Sequence, residues 1–91
     1  MAAKLSAQVT IINQLGLHAR AATKLVQLTQ QFKSQVQLVQ DDGKTADAGS
    51  VLALLMLASS KGKTLTVTTE GDDAAEALTA VTTLINTGFG E

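Results

Sequence analysis

Apolar and polar residues alternate along several stretches of the chain. In residues 5–12 every second position is apolar, and these positions are Leu5, Ala7, Val9 and Ile11. A period of two predicts a β-strand with one covered face. The same alternation predicts a second strand around Val36 and Leu38 and a fourth strand over residues 64–69. Residues 41–44, Asp-Asp-Gly-Lys, form a favourable hairpin turn, so a short third strand is expected at residues 45–47.

Three other stretches have the longer period of an amphipathic helix. In residues 19–32 apolar side chains recur at spacings of four, three and four, at Ala21, Leu25, Leu28 and Phe32. A second helix is expected to begin after Ser50, whose hydroxyl can cap it, and to end near Gly62. Its predicted buried residues are Val51, Leu54, Leu55 and Ala58. A third helix is expected to follow Asp72 and Asp73, as capping aspartates, and to bury Ala74, Leu78, Val81 and Ile85.

The predicted order of elements is therefore β-α-β-β-α-β-α. Each strand offers one apolar side and each helix one apolar stripe, so the helices are expected to pack together on one face of the sheet. The expected fold class is α+β. Its architecture is an open-faced two-layer β-sandwich, in which three helices cover one face of a four-stranded antiparallel sheet.

Composition narrows the range of functions. The chain has 91 residues, the size of one small domain, with 45% hydrophobic and 16% charged residues. Its net charge of -1 and aromatic content of 2% argue against a nucleic-acid partner. Without cysteine there is no disulfide or thiolate zinc site, and we expect no metal or cofactor. No segment is long and apolar enough to predict a membrane span or a signal peptide, so we expect a cytoplasmic protein.

His18, the only histidine in the chain, is the candidate reactive residue. It lies where the first helix is predicted to begin, and unpaired backbone N–H groups and the helix dipole favour an anion at such a position. Neutral imidazole is a nucleophile, and Arg20 would add a planar cation two residues further along the chain. The alternative is a structural histidine that only caps the helix, with Arg20 solvated; these residues alone leave both interpretations open.

The segment around His18 resembles a known motif. Residues 16–22, Gly-Leu-His-Ala-Arg-Ala-Ala, are similar to the Gly-x-His-Ala-Arg-Pro-Ala signature of the HPr phosphocarriers of the bacterial phosphotransferase system. The resemblance extends over nearly the whole chain, including its length and the predicted order of elements. Residues 50–57 and the ending Asn-Thr-Gly-Phe at residues 86–89 resemble the nitrogen-related branch, NPr, more than sugar-type HPr. Ala21 departs from the signature, which has proline there.

The resemblance implies a phosphoryl relay. Enzyme I, or its nitrogen-branch paralogue, would phosphorylate Nδ1 of His18, and a IIA-type protein would accept the group. Arg20 would neutralise phosphoryl charge, and the backbone N–H groups of Ala19 and Arg20 would hold the phosphoryl oxygens. Such a carrier is a stoichiometric intermediate rather than a turnover enzyme, and we expect a monomer. Ala21 in place of proline should alter the pre-organisation of the helix start rather than abolish the chemistry.

The resemblance raises two further expectations. In sugar-type HPr of some bacteria a dedicated HPr kinase phosphorylates the serine that matches Ser50, so Ser50 is a candidate regulatory site as well as a helix cap. A partner-binding surface is expected at Leu17, Lys24, Leu52 and Met56, with Lys61 at its edge, because the second helix is apolar nearly all round.

Two other classes remain open from the sequence. A ferredoxin-like ligand-binding module would share most of the predicted order of elements, but it would have a ligand pocket and no covalent chemistry at His18. A regulatory paralogue would keep the fold and bind partners without carrying phosphate. The choice between sugar and nitrogen branches and the identity of the IIA acceptor also stay open. The beginning and end of the sequence favour a free protein over a piece cut from a larger transporter component.

Overall fold

Four antiparallel strands form one sheet, and helices connect them across one of its faces. The computed structural model describes residues 3–57 and 60–91. Its elements are β1 (Ala3–Thr10), α1 (Ala19–Thr29), β2 (Gln35–Gln40), β3 (Thr45–Asp47), α2 (Val51–Leu57), β4 (Thr64–Gly71) and α3 (Ala74–Asn86), followed by a short 3-10 turn (Gly88–Gly90). This order confirms the prediction of an α+β open-faced sandwich.

The strand order across the sheet is β1-β4-β2-β3, and every neighbouring pair is antiparallel. Val67 of β4 lies opposite Leu38 of β2, and Leu38 lies opposite Ala46 of β3. These three side chains are buried, whereas the alternate positions along the strands carry mainly threonine and glutamine. The covered face of the sheet is therefore the one that the period of two predicts, except at the start of β1, where Leu5 is exposed. In a ferredoxin-like sheet β1 lies in the interior, so its position at the edge here argues against that alternative.

The helices supply the other half of the core. α1 buries Ala21, Ala22 and Leu25, and α3 buries Ala77, Val81 and Ile85. Alanines allow α3 to lie close to β1 and β4 and α1 to lie close to α2 and α3, while the larger side chains fill the remaining space. The described part of the chain contains no helix that is long and apolar enough to cross a membrane.

The second helix differs from its predicted packing. Leu54 and Leu57 are buried, whereas Leu55 is 38% exposed, so its predicted burial is wrong. Val51 and Ala53 are partly buried and pack against the core, whereas the remaining leucine and the methionine of α2, Leu52 and Met56, lie on its outer side with Leu55. Ala58, also predicted to be buried, lies outside the described residues. The predicted cap is confirmed, because the Ala53 N–H donates to Ser50 Oγ at 3.1 Å.

α1 ends at Thr29 rather than at the predicted Phe32. The Thr29 hydroxyl donates to the Val26 carbonyl at 2.9 Å, and the Phe32 N–H bonds to the Thr29 carbonyl at 3.1 Å. These bonds between residues three apart tighten the chain into a turn that leads to β2. Phe32 still packs against the core from this turn.

Asp73 does not cap α3 with its side chain, so this prediction is wrong. Its carboxylate instead accepts hydrogen bonds from the backbone N–H groups of Lys33 and Ser34, both at 2.9 Å, and from Ser34 Oγ at 2.5 Å. The Ser34 hydroxyl and these N–H groups hold the pKa of Asp73 below its ordinary value. Gly71 permits this approach, since a Cβ there would lie 2.7 Å from the Ser34 Cα. The carboxylate thus ties the start of β2 to the start of α3.

Candidate functional site

The loop between β1 and α1 is held at both ends by backbone hydrogen bonds. Ile11 exchanges bonds with the turn before β4, donating to the Lys63 carbonyl at 2.9 Å and accepting from the Gly62 N–H at 2.8 Å. Further along, the Gly16 N–H donates to the Asn13 carbonyl at 3.1 Å. Gly16 has a φ of 65°, a conformation that glycine adopts without the clash of a side chain. This turn places His18 at the first turn of α1.

His18 is the N-cap residue of α1, with an extended backbone at φ -84° and ψ 179°. The Arg20 N–H donates to His18 Nδ1 at 3.2 Å, and the Ala22 N–H donates to the His18 carbonyl at 2.8 Å. Nδ1 therefore points to the positive end of the helix and carries a lone pair. This is a position where a negatively charged group on that nitrogen is stabilised by helix N–H groups and by the dipole.

The other ring nitrogen contacts the last residue of the chain. His18 Nε2 is hydrogen bonded to Glu91 Oε2, and Glu91 Oε1 accepts a hydrogen bond from Asn13 Nδ2 at 3.1 Å. Asn13 Nδ2 also donates to the Gly16 carbonyl at 2.7 Å. The Asn13 side chain thus connects the backbone of the loop with the side-chain carboxylate of Glu91.

The C-terminal segment reaches His18 because Phe89 anchors it. Phe89 is fully buried and has a positive φ of 57°, between Gly88 at 67° and Gly90 at 76°. A bulky residue with a positive φ has a strained backbone, and burial of the phenyl ring offsets the free energy of this strain. The Lys24 ammonium donates to the Phe89 carbonyl at 2.7 Å and fixes the segment against α1.

Glu91 is ionised in this arrangement. The Asn13 hydrogen bond lowers the pKa of the Glu91 carboxyl most, and the His18 hydrogen bond and the charge of Lys24 lower it further. Desolvation opposes these effects without reversing them. A carboxylate therefore stands beside Nε2, while helix N–H groups stand beside Nδ1.

Neither Glu91 nor Asn13 was found by sequence reasoning. The signal available was Gly-Phe-Gly at residues 88–90, since a large apolar residue between two glycines indicates a tail that folds back onto the core. Nothing in the sequence indicates where such a tail would place its last carboxylate.

The three residues that follow His18 lie in the first turn of α1. Arg20 is exposed and, among residues 3–57 and 60–91, its guanidinium has no hydrogen-bond or salt-bridge partner, so it is available to an incoming anion. Ala19, the residue that follows His18, is the first residue of α1. Ala21, which stands in the position of the family proline, is buried in the first turn of the helix.

The predicted partner-binding residues divide between surface and core. Leu52 and Met56 are 68% and 73% exposed, as the prediction of an exposed stripe requires. Leu17 is only 4% exposed, so its prediction as a surface residue is wrong. The loop turns its side chain into the core and presents Leu15, which is 71% exposed, in its place. Lys24 lies on α1 but its ammonium is engaged by the Phe89 carbonyl.

The site is an open surface rather than a pocket. Four concave regions of the described chain lie elsewhere; one of about 430 Å³ is lined by Lys44, Thr45, Ala53, Met56 and Leu57. In the same part of the chain no group of three or more His, Asp or Glu side chains is placed to hold a metal ion. His18 is partly buried at this surface, with 21% of its side chain exposed, and such a position suits transfer between protein surfaces better than the enclosure of a small substrate.

The fold and the site together define a class of protein: a small open-faced sandwich that offers one imidazole nitrogen at the positive end of a surface helix. A family model described as "PTS HPr component phosphorylation site" matches residues 5–87. The chain belongs to the HPr family of phosphocarriers of the phosphotransferase system.

Known relatives cover almost the full length of the chain. The phosphocarrier protein NPr of Shewanella violacea is 51% identical over 88 residues, which are 97% of this chain and 96% of that protein. The phosphocarrier protein HPr of Neisseria meningitidis serogroup B is 46% identical over 87 residues, 96% and 97% of the two chains. The crystal structure of HPr-C-His from Thermoanaerobacter tengcongensis superposes with a TM-score of 0.89 at 37% identity, covering 96% of this chain and 97% of that one. The family implies partners of the phosphotransferase system, such as enzyme I and IIA proteins.

Proposed function

We propose that the chain carries a phosphoryl group on Nδ1 of His18, as an intermediate between an enzyme I-type donor and a IIA-type acceptor. The observation that carries the proposal is the hydrogen bond from the Arg20 N–H to Nδ1, at 3.2 Å. This bond supports a lone pair on the nitrogen that lies at the positive end of α1. Residues 1–91 would act as one phosphocarrier domain.

The transfer step follows from this geometry. The Nδ1 lone pair attacks the phosphorus of the donor's phosphoryl group, and the bond between phosphorus and the donor breaks with its electron pair returning to the donor atom. The phosphoryl oxygens then occupy the place where N–H groups at the start of α1, at Ala19 and Arg20, favour negative charge. The exposed Arg20 guanidinium can fold over the same oxygens and stabilise charge that develops in the transition state.

The docking surface that we propose combines α2 with the active-site loop. Leu52 and Met56 are the most exposed apolar residues of α2, and Leu15 takes the place in this surface that was expected of Leu17. Lys61, which donates to the Gln14 side chain at 3.2 Å, adds a cation at the loop. Lys24 would act through the C-terminal segment that it holds, rather than as a direct contact.

We place the carrier in the nitrogen-related branch, with the paralogue of enzyme I as donor. The support is the similarity to NPr proteins together with the residues of α2 and the Gly-Phe segment that resemble that branch. The resemblance implies that enzyme I takes its phosphoryl group from phosphoenolpyruvate, a cytoplasmic metabolite, so the relay would operate in the cytoplasm. We expect the carrier to act as a monomer. Phosphorylation of Ser50 by an HPr kinase stays a prediction. The hydrogen bond from the Ala53 N–H already gives this serine a structural role as the cap of α2.

The test is incubation with phosphoenolpyruvate and each type of enzyme I in turn, followed by intact mass measurement. We expect one acid-labile phosphoryl adduct that forms faster with the nitrogen-branch enzyme and is absent in His18→Ala. Arg20→Ala should keep the adduct but form it more slowly. No adduct with either enzyme would refute the carrier function and favour a regulatory paralogue, and faster uptake from the sugar-branch enzyme would refute the branch.

A further inference from the structure

Asn13 lies between the active-site loop and the C-terminus. It is buried, with 6% of its surface exposed, and its side-chain nitrogen donates to the Gly16 carbonyl and to Glu91 Oε1. Both amide hydrogens are used, whereas Oδ1 has no partner within residues 3–57 and 60–91. A reversed amide would set Oδ1 against two oxygen acceptors, so the orientation is determined by its neighbours.

Glu91 transmits this orientation to His18. A carboxylate only accepts hydrogen bonds, so its contact with Nε2 requires the proton to be on Nε2. A neutral imidazole has one N–H, which leaves Nδ1 with a lone pair. The contact at Nδ1 agrees, because the Arg20 N–H donates to that nitrogen. Two contacts on opposite sides of the ring thus specify the same tautomer.

We propose that Asn13 is a positioning residue of the phosphoryl site, which holds Glu91 on Nε2 of His18 and so keeps Nδ1 as the nucleophilic nitrogen. The inference rests on the proposed function for its consequence, but the tautomer itself is a property of the unphosphorylated protein. Asn13 does not touch the reacting atoms. It acts through the Glu91 carboxylate, to which it donates one hydrogen bond.

The arrangement also serves the transfer step. When Nδ1 attacks phosphorus, the N–P bond forms with the lone pair of Nδ1, the Nε2 proton stays in place and the ring becomes positively charged. The Glu91 carboxylate then faces that positive ring, so the charge is balanced without a proton leaving the site. When the phosphoryl group moves on, the N–P pair returns to Nδ1 and the neutral ring with its proton on Nε2 is restored. The same tautomer is therefore ready for the next cycle.

Two single variants break the connection while keeping the shape of each side chain. Asn13→Asp places a carboxylate where the donor stood, so Glu91 is repelled from the loop. Glu91→Gln sets an amide N–H₂ against the Asn13 amide, or turns it toward Nε2, and either orientation loses a hydrogen bond. Combining the two changes restores the pairing between positions 13 and 91, although the hydrogen bond to the Gly16 carbonyl stays lost. The introduced glutamine donates its amide hydrogen to the introduced aspartate, and its carbonyl oxygen accepts from Nε2.

The measurement is ring ¹⁵N NMR of the unphosphorylated protein in mildly alkaline buffer, where two-bond ¹H–¹⁵N couplings report the tautomer. His18 is the only histidine, so its signals need no further assignment. We expect one tautomer, with the proton on Nε2, in the original protein and a several-fold rise of the Nδ1–H form in each single variant. The double variant should return toward the original spectrum. Glu76→Gln, an equal loss of charge at an exposed position on α3, is the matched control.

A parallel measurement of phosphoryl uptake from enzyme I should show several-fold slower transfer in the single variants and recovery in the double variant. Unchanged ring signals in both single variants would overturn the proposal, whatever their uptake. A double variant no closer to the original than Asn13→Asp, which shares its loss of the Gly16 hydrogen bond, would overturn it as well, because loss of packing alone predicts additive damage. Absence of uptake by the original protein would instead refute the proposed function, and the NMR result, which needs no phosphoryl donor, keeps the two failures distinct.

Discussion

Replacing Phe89 with alanine tests whether the C-terminal segment is an integral part of the fold. The ring is fully buried in the main core, so truncation removes apolar burial and leaves a cavity. Phe→Ala changes at such positions cost about 3–5 kcal/mol. Alanine is also strained at a φ of 57°, so no relief of backbone strain offsets the loss. For a domain of this size, each kcal/mol corresponds to about 4–8 °C in Tm, so we expect a fall of at least about 12 °C.

Circular dichroism is the suitable assay for this prediction, because the chain has no tryptophan or tyrosine to report unfolding by fluorescence. Phe32, the only other phenylalanine, provides the matched control, since it is partly buried on the turn after α1. Phe32→Ala should cost clearly less than Phe89→Ala. The reasoning is refuted if Phe89→Ala lowers the free energy of unfolding by less than about 1 kcal/mol, the level of an ordinary surface-near substitution. In that case the last residues would be peripheral, and the contact between Glu91 and His18 would lack its anchor.

Three further predictions concern parts of the molecule outside this segment. Because the pKa of Asp73 is lowered in the folded state, its ionised form stabilises the protein fully above its ordinary pKa, and this contribution is lost as the pH falls through the lowered folded value. Asp73→Asn should therefore flatten the acid side of the stability profile measured by urea unfolding, and an unchanged profile would contradict it. Ser50→Ala should lower the free energy of unfolding by about 1 kcal/mol through loss of the α2 cap, whereas Ser50→Asp should retain most of it; equal losses in both would argue against capping. Met56→Glu should weaken binding to enzyme I in a titration without changing the Tm, because the side chain is 73% exposed, and unchanged affinity would exclude Met56 from the docking surface.

The elements that sequence reasoning predicted are those in which neighbouring residues determine the outcome. The third strand, Thr45–Asp47, matches the prediction residue for residue because the Asp-Gly turn before it determines the pairing of its hairpin. His18 lies at the start of α1 as expected, because the change of period from two to about four marks that boundary. Leu17 was misplaced for the converse reason: an irregular loop has no period from which the inner and outer faces can be assigned.

The candidate site likewise has one part that neighbouring residues determine and one part that depends on distant residues. Its local half, the helix start with Nδ1 and Arg20, involves residues two positions apart and is readable from a short motif. Its other half joins residues 73 positions apart, His18 and Glu91, and the carboxylate of Asp73 reaches a loop 39 to 40 residues away. Contacts of this kind depend on how the whole chain closes, and no local pattern specifies them. The local half provides the N–H groups that would favour an anion beside His18, whereas the distant half specifies which nitrogen has the lone pair. A histidine at a helix start therefore indicates an anion site only together with the surrounding motif, and the nucleophilic nitrogen can be identified only when both sides of the ring are known.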